Sequence, residues 1–247
     1  MRLEADGLVI REQNIGESDR LITLLTRQKG IVRAFVRGAR RIKSTYAGAT
    51  QLLCYSRFSI YMGKEKNVID EAEPINVFFD LRKSVEALTL GQYFAELSDA
   101  LAPREDEAEE ILRTVLNALY LLCKGTKPQK QIKAVTELRL LCAAGYMPDL
   151  ICCEKCGAFE TPTMYFDCRK PVLYCQNCGY GLGKSVSLGV ITAMRHICYS
   201  ETEKIFNFSM PDESLKVLSA TVEEYLLTRV RRRFYTLEFY NTIASDI

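Results

Sequence analysis

The sequence predicts an α+β protein: a small barrel of strands first, then helices, with a cysteine-rich module set into the helical part. Three observations predict it. Apolar and polar residues alternate with a period of two over the first ~80 residues. After Pro74 the period becomes that of a helix. Between Asp149 and Tyr180 four cysteines stand in two tight pairs, Cys153-Glu154-Lys155-Cys156 and Cys175-Gln176-Asn177-Cys178.

The strands come in order. Leu8-Val9-Ile10 is a short apolar segment. From Arg20 to Thr26, Leu21, Thr23 and Leu25 share one face. Arg27-Gln28-Lys29-Gly30 is a polar turn. Ile31 to Arg37 follows, with Val32, Ala34 and Val36 on one face and Arg33, Phe35 and Arg37 on the other, so the two runs form a hairpin. Gln51 to Met62 alternates again, Leu52, Cys54, Phe58 and Ile60 pointing inward and Tyr55, Arg57 and Tyr61 outward. Gly63 to Asn67 is a turn before Val68-Ile69. About five short strands at this spacing make a small barrel.

The helices follow. Leu90, Phe94, Leu97 and Leu101 lie on one helical face, which Pro103 ends. Glu105, Asp106, Glu107, Glu109 and Glu110 load the first turns of a second helix, where acids favour the dipole; its core stripe is Ile111, Val115, Leu119 and Leu122. Gly125 and Pro128 precede a third, with Ile132, Val135, Leu138 and Leu141 inside, ended by Gly145 and Pro148. Helices resume near Val186. The last long one carries Leu215, Leu218, Val222 and Leu226 and runs into Arg229 and Arg231-Arg232-Arg233. The expected segments are a barrel at 1–79, a first helical part at 80–148, the cysteine module at 149–182 and a second helical part at 183–247.

The paired cysteines are the strongest chemical signal. A Cys-x-x-Cys turn aims two thiolates at one centre, and the glycine after each pair (Gly157, Gly179) lets backbone amides face the sulfurs. Two such knuckles supply the soft tetrahedral donor set that zinc prefers, so Cys153, Cys156, Cys175 and Cys178 are the expected ligands of one zinc ion. Cys152 is the alternative first ligand, with a longer spacer; Cys153 keeps the pairs equivalent. A closed four-thiolate site has no open position, so the zinc is structural. The start, Met1-Arg2-Leu3-Glu4-Ala5-Asp6, has no apolar signal region, which implies a reducing cytoplasm and argues against disulfides among the 10 cysteines. A thioredoxin-type redox motif would occur once, between a strand and a helix. Cys54, Cys123, Cys142 and Cys198 read as small buried side chains, and Cys168 as a spare thiol near the metal.

The net charge of +2 hides a segregation. From Arg27 to Lys66 there are ten basic residues and one acid, Glu65; from Asp70 to Glu110 the balance is acidic. Arg37-Gly38-Ala39-Arg40-Arg41-Ile42-Lys43-Ser44 is a glycine-hinged basic loop leaving a strand, where small barrels grip nucleic acid. Lys29, Arg33, Arg37, Arg40, Arg41, Lys43 and Arg57 are the expected DNA contacts, with Phe35, Tyr46, Tyr55 and Tyr61 interleaved for stacking. A single histidine, His196, excludes a histidine triad; no Walker or dinucleotide fingerprint supports nucleotide chemistry. No apolar run reaches the ~20 residues of a membrane span. The acids at 105–110 are consecutive and far along the chain from the basic loop, against a nuclease. The chain is therefore expected not to be an enzyme. A zinc-ribbon transcription or RNA-binding factor is the alternative, and it predicts no strand annealing.

Three stretches, in order, resemble the bacterial RecO family of DNA repair and recombination mediators. They are Gly7-Leu8-Val9-Ile10 with Gly16-Glu17-Ser18-Asp19-Arg20-Leu21-Ile22-Thr23-Leu24-Leu25-Thr26, then Lys29-Gly30 with the basic loop to Ser44, then Pro148-Asp149-Leu150 with the two Cys-x-x-Cys pairs. The resemblance implies an oligonucleotide-binding (OB-fold) barrel and binding of single- and double-stranded DNA. It implies annealing of complementary strands, and work with RecR to load RecA onto DNA coated by single-strand binding protein. The acidic, apolar-tipped tail of that protein needs cations around a greasy groove. Lys127, Lys130, Lys133 and Arg139, beside Val135 and Leu138, are the expected stretch for it; Arg229 to Arg233 beside Phe234 and Tyr235 is the second possibility.

Overall fold

The computed structural model describes residues 1–41 and 43–244. The architecture is α+β, as expected. Five strands, β1 (Arg2–Ile15), β2 (Asp19–Thr26), β3 (Gly30–Val36), β4 (Cys54–Met62) and β5 (Asn67–Val77), close into a barrel in the order β1-β2-β3-β5-β4. Every pairing is antiparallel except β3 with β5, which meet in parallel at Phe35 and Val68.

Val9, Ile22, Leu24, Val32, Ala34, Val36, Phe58 and Ile60 fill the interior. The β3 alternation is the expected one. In β2, Ile22 and Leu24 line the interior, and Leu21, Thr23 and Leu25 share the outer face. Thr23 and Leu25 are buried as well, because helix packs on the outside of this strand. Alternation cannot show which face lines a barrel when both faces are covered. Leu52 stays outside β4, because Leu53 takes a positive φ of 63° and delays the extended backbone to Cys54.

The same compact unit holds the α-helices α1 (Val85–Leu101), α2 (Glu109–Lys124) and α6 (Tyr235–Ala244). Ser84 caps α1 by accepting the Ala87 N–H at 3.1 Å. The acidic segment differs from expectation. Residues 105–108 are not helical, and Glu105 has a φ of 67°. Their backbone lies along the β2–β3 turn instead. Ile31 N–H donates to the Pro103 carbonyl (3.0 Å), Glu105 N–H to Lys29 (3.2 Å) and Ala108 N–H to Arg27 (2.9 Å). Gly30 is required there, since a Cβ would fall 2.0 Å from the Pro103 oxygen.

The second unit runs from Gly125 to Arg233. It holds α3 (Gln129–Ala143), a sheet of β6 (Thr163–Asp167), β7 (Val172–Cys175) and β8 (Lys184–Ser187) in the order β7-β6-β8, then α4 (Leu188–Tyr199) and α5 (Asp212–Val230). Tyr225 of α5 meets Phe166 of β6 edge-on at 5.5 Å, which seats the helix on the sheet. Arg231, with a φ of 49°, ends α5 in a left-handed turn. Among the described residues no helix is long and apolar enough to cross a membrane.

Candidate metal centre and nucleic-acid interface

The two knuckles converge. One sulfur from each of Cys153, Cys156, Cys175 and Cys178 lies within 4.8 Å of the others, and Cys156 and Cys175 are 3.6 Å apart. Cys153, rather than Cys152, joins this cluster. The register explains the meeting: Cys175 ends β7, and the first knuckle hangs on the same strand through a bridge from Cys153 to Leu173 and the Glu154 N–H donated to the Leu173 carbonyl at 2.8 Å. Each knuckle closes on itself, Gly157 N–H donating to Cys153 and Gly179 N–H to Cys175, both at 2.9 Å.

The two glycines serve different ends. Gly157 supplies a φ of 72°. Gly179 has an ordinary φ but lies flat on Tyr165, where a Cβ would come 2.5 Å from the ring.

The electrostatics favour a bound cation. Burial pushes the Cys153 thiol up, but backbone hydrogen bonds from Cys175, Cys156 and Lys155 outweigh it and bring it down to about 6. The neighbouring Cys175 and Cys156 thiols push Cys178 up to about 12. Four sulfurs this close cannot all be anionic without a positive ion between them. A dication removes the repulsion, and soft thiolates select zinc-like metals. The donor set therefore fits a metal ion.

The basic loop is fastened to the β1–β2 turn. Asp19 Oδ1 accepts the Gly38 N–H at 2.8 Å, Arg40 N–H donates to the Ser18 carbonyl at 3.0 Å, and the Arg40 guanidinium reaches the Gly16 carbonyl at 3.2 Å. Gly38 takes a φ of 63°, the hinge that lets Arg40 and Arg41 follow it back over the turn. Arg33, Arg37, Arg40, Arg41 and Lys43 are all exposed. Lys66, in the β4–β5 turn, lies over the Phe35 ring at 5.8 Å and extends this surface past the loop. The sequence places Lys66 in the Gly63–Asn67 turn; the parallel contact of β3 with β5 brings that turn to Phe35, and local patterns do not show such a contact.

Two expected DNA contacts sit elsewhere. Arg57 of β4 stands between Asp6 of β1 and Glu73 of β5 in the register and pairs with Asp6 at 3.0 Å. It belongs to an acidic stretch of the barrel wall. Lys29 lies at the β2–β3 turn, against the acidic segment, beside Arg27 paired with Glu109 at 2.9 Å. Residues 105–110, distant in sequence, thus border one end of the basic run.

The stretch expected to receive an acidic peptide needs correction. Lys133 is 1% exposed, held between Glu137 at 2.9 Å and Glu223 of α5 at 2.7 Å. Val135 and Leu138 are fully buried, so they form no open groove. Lys127 donates to the Phe208 carbonyl at 3.1 Å, and Arg139 to the carbonyls of Ile197 and Cys198 at 3.1 and 2.8 Å. Lys130 is partly exposed. α3 is covered nearly all round by α4 and α5, and helical spacing of charge does not reveal that. His196 bonds the Lys204 carbonyl at 2.9 Å and meets the Phe208 ring edge-on at 5.6 Å.

A closed barrel with a cationic edge and a second unit in which four converging thiols could hold a metal ion define the class of this α+β protein. Residues 1–78 match the family Recombination protein O N terminal, and residues 82–238 match Recombination protein O C terminal. A protein of Acetivibrio thermocellus named DNA repair protein RecO is 34% identical over 98% of this chain and 97% of its own length. Proteins of the same name from Symbiobacterium thermophilum and Caldicellulosiruptor saccharolyticus are 29% and 27% identical, over 97% and 98% of this chain and 97% and 98% of their own lengths. The chain belongs to the RecO family.

Proposed function

We propose that this chain is a non-enzymatic DNA-binding mediator of DNA repair. It binds single- and double-stranded DNA through the barrel loop and anneals complementary strands. With RecR it loads RecA onto single strands coated by single-strand binding protein. The observation that carries the reading is the anchored display of Arg33, Arg37, Arg40, Arg41 and Lys43 on one edge of a small barrel, in a chain of this family. Arginine forks suit phosphate, and each neutralised phosphate releases counterions. Phe35 beside them offers a stacking ring.

Cys153, Cys156, Cys175 and Cys178 would hold one zinc ion, which would cross-link the two knuckles and serve a structural role. The chain's own residues do the rest: Asp19 and Gly38 set the loop, and the arginines bind phosphate without a proton transfer.

The test is annealing of complementary oligonucleotides coated by single-strand binding protein, without nucleotide. The purified chain speeds duplex formation, and the Arg40→Ala, Arg41→Ala protein does not. A wild-type rate equal to the spontaneous rate would refute the reading.

A further inference from the structure

The cysteine module carries a second surface with the chemistry of a single-strand platform. Tyr165 of β6 stands directly opposite Tyr174 of β7 on one face of the hairpin, Tyr165 partly exposed and Tyr174 buried, while Met164, Phe166, Leu173 and Cys175 are buried on the other face. Lys155 lies over the Tyr174 ring at 5.8 Å. Gly179 presses on Tyr165, and the next residue, Tyr180, is 89% exposed.

Cations gather at the end of the same hairpin. Asp167 Oδ1 accepts the N–H groups of Arg169 (2.8 Å) and Lys170 (3.3 Å), which fixes the β6–β7 turn and leaves both side chains exposed. Arg229 clamps that turn from α5 by donating to the Cys168 carbonyl at 2.8 Å and to the Arg169 carbonyl. Lys170 reaches Glu154 at 3.4 Å, next to Lys155, so the turn's charge adjoins the Lys155–Tyr174 stack. Both partners of that pair are largely exposed, so solvent screens it and phosphate can compete for the lysine.

One exposed tyrosine would carry nothing, since single apolar residues on a surface are ordinary. Here the ring follows Gly179, which packs on the partly exposed Tyr165, and three cations lie on the same module, Arg169 and Lys170 on the clamped β6–β7 turn and Lys155 in the first knuckle. A flat, sequence-tolerant stacking surface rimmed by positive charge fits bases and phosphates better than an acidic peptide, which has no rings to stack.

We propose that Tyr165, Tyr180, Lys155, Arg169 and Lys170 form a second single-strand nucleic-acid site. The proposal rests on the reading of the chain as a DNA-binding protein and deepens it. One chain then holds two strands, and each raises the effective concentration of its complement.

The test titrates labelled oligothymidylate into four metal-loaded proteins: wild type, Arg40→Ala with Arg41→Ala, Arg169→Ala with Lys170→Ala and Tyr180→Ala, and the combination. In the barrel-loop background the module substitutions lower affinity by about tenfold, and Tyr180→Phe in place of Tyr180→Ala restores part of the loss. Unchanged metal content and melting confirm that the fold survives. If the module substitutions leave affinity and stoichiometry unchanged in both backgrounds, the second site is wrong whatever the barrel loop does. If only the barrel-loop protein binds like wild type, the loop assignment fails and the second site stands. An aspartate-rich peptide that binds this face while oligothymidylate does not displace it would overturn the choice of nucleic acid.

Discussion

The Asp19 carboxylate accepts the Gly38 N–H at 2.8 Å, and with the two bonds from Arg40 to the Ser18 and Gly16 carbonyls this bond joins the β1–β2 turn to the basic loop that follows β3. The Gly38 N–H is also the main reason the Asp19 carboxyl lies below its ordinary value, with Ser18, Arg41 and Arg37 adding to the effect against some desolvation. A group depressed in the fold stabilises above its unfolded pKa and loses that contribution as pH falls through the folded value. The anchor is therefore intact at neutral pH and gives way only in acid, below the usual carboxylate range.

That bond makes a prediction with a decisive sign. Asp19→Ala removes a negative charge near Arg37 and Arg41, so electrostatics alone would tighten DNA binding. The loop loses its anchor, however, and the expected result is binding weaker by several-fold. Asp19→Asn keeps an acceptor for Gly38 without the charge and binds at least as well as wild type. Fluorescence anisotropy with a single-stranded oligonucleotide reads both; tighter binding by the alanine protein would show that the anchor has no role.

Arg57 gives a control. It sits between Asp6 and Glu73, and its guanidinium is held more basic by Asp6. Arg57→Ala is expected to leave DNA affinity within about twofold of wild type, since its charge is already met. A loss as large as that of Arg40→Ala would place DNA on the acidic wall as well.

Cys175→Ser removes one of four converging sulfurs. Metal content measured by atomic emission falls well below one ion per chain, and the second unit melts earlier by about 10 °C. Treatment with a strong chelator reproduces the shift in the wild type. A metal-free wild type with unchanged melting would contradict the structural role.

Lys133 lies between two carboxylates, and removing it strands them. Burial pulls its pKa down, but Glu137 and Glu223 outweigh that and raise it, so the lysine stays charged. Lys133→Met is expected to cost about 3–5 kcal/mol in denaturant unfolding, and adding Glu137→Gln and Glu223→Gln to recover most of it. Equal stability of the single variant and wild type would mean that the triad is not formed.

Much of this was legible in the sequence because it is local. Ile111, Val115, Leu119 and Leu122, then Ile132, Val135, Leu138 and Leu141, and Leu215, Leu218, Val222 and Leu226 all proved buried, because helical spacing dictates a face. Each Cys-x-x-Cys turn is legible because it closes on itself, and the two meet through the bridge of Cys153 to Leu173. What escaped depends on contacts distant in sequence. The full 14-residue length of β1 is set by pairing with β2 and β4 and not by its short apolar segment. Residues 105–108 have the composition of a helix start, yet the β2–β3 turn takes their backbone bonds. The segments expected at 80–148 and 183–247 each contribute helices to both compact units, since α6 returns to the unit of α1 through Thr236, whose hydroxyl donates to Glu96 at 2.6 Å. Lys133 reads as a surface cation until α5 brings Glu223 to it.

The central claim is that the barrel loop grips the phosphate backbone, and the salt dependence of single-strand binding tests it most directly. Affinity of wild type and of the Arg40→Ala, Arg41→Ala protein is measured for one oligonucleotide across a series of salt concentrations. If Arg40 and Arg41 each contact a phosphate, the variant binds more weakly at every salt, with a log–log slope shallower by roughly 1.4 to 2 units, the counterions of two lost contacts. Parallel lines of equal affinity would contradict it.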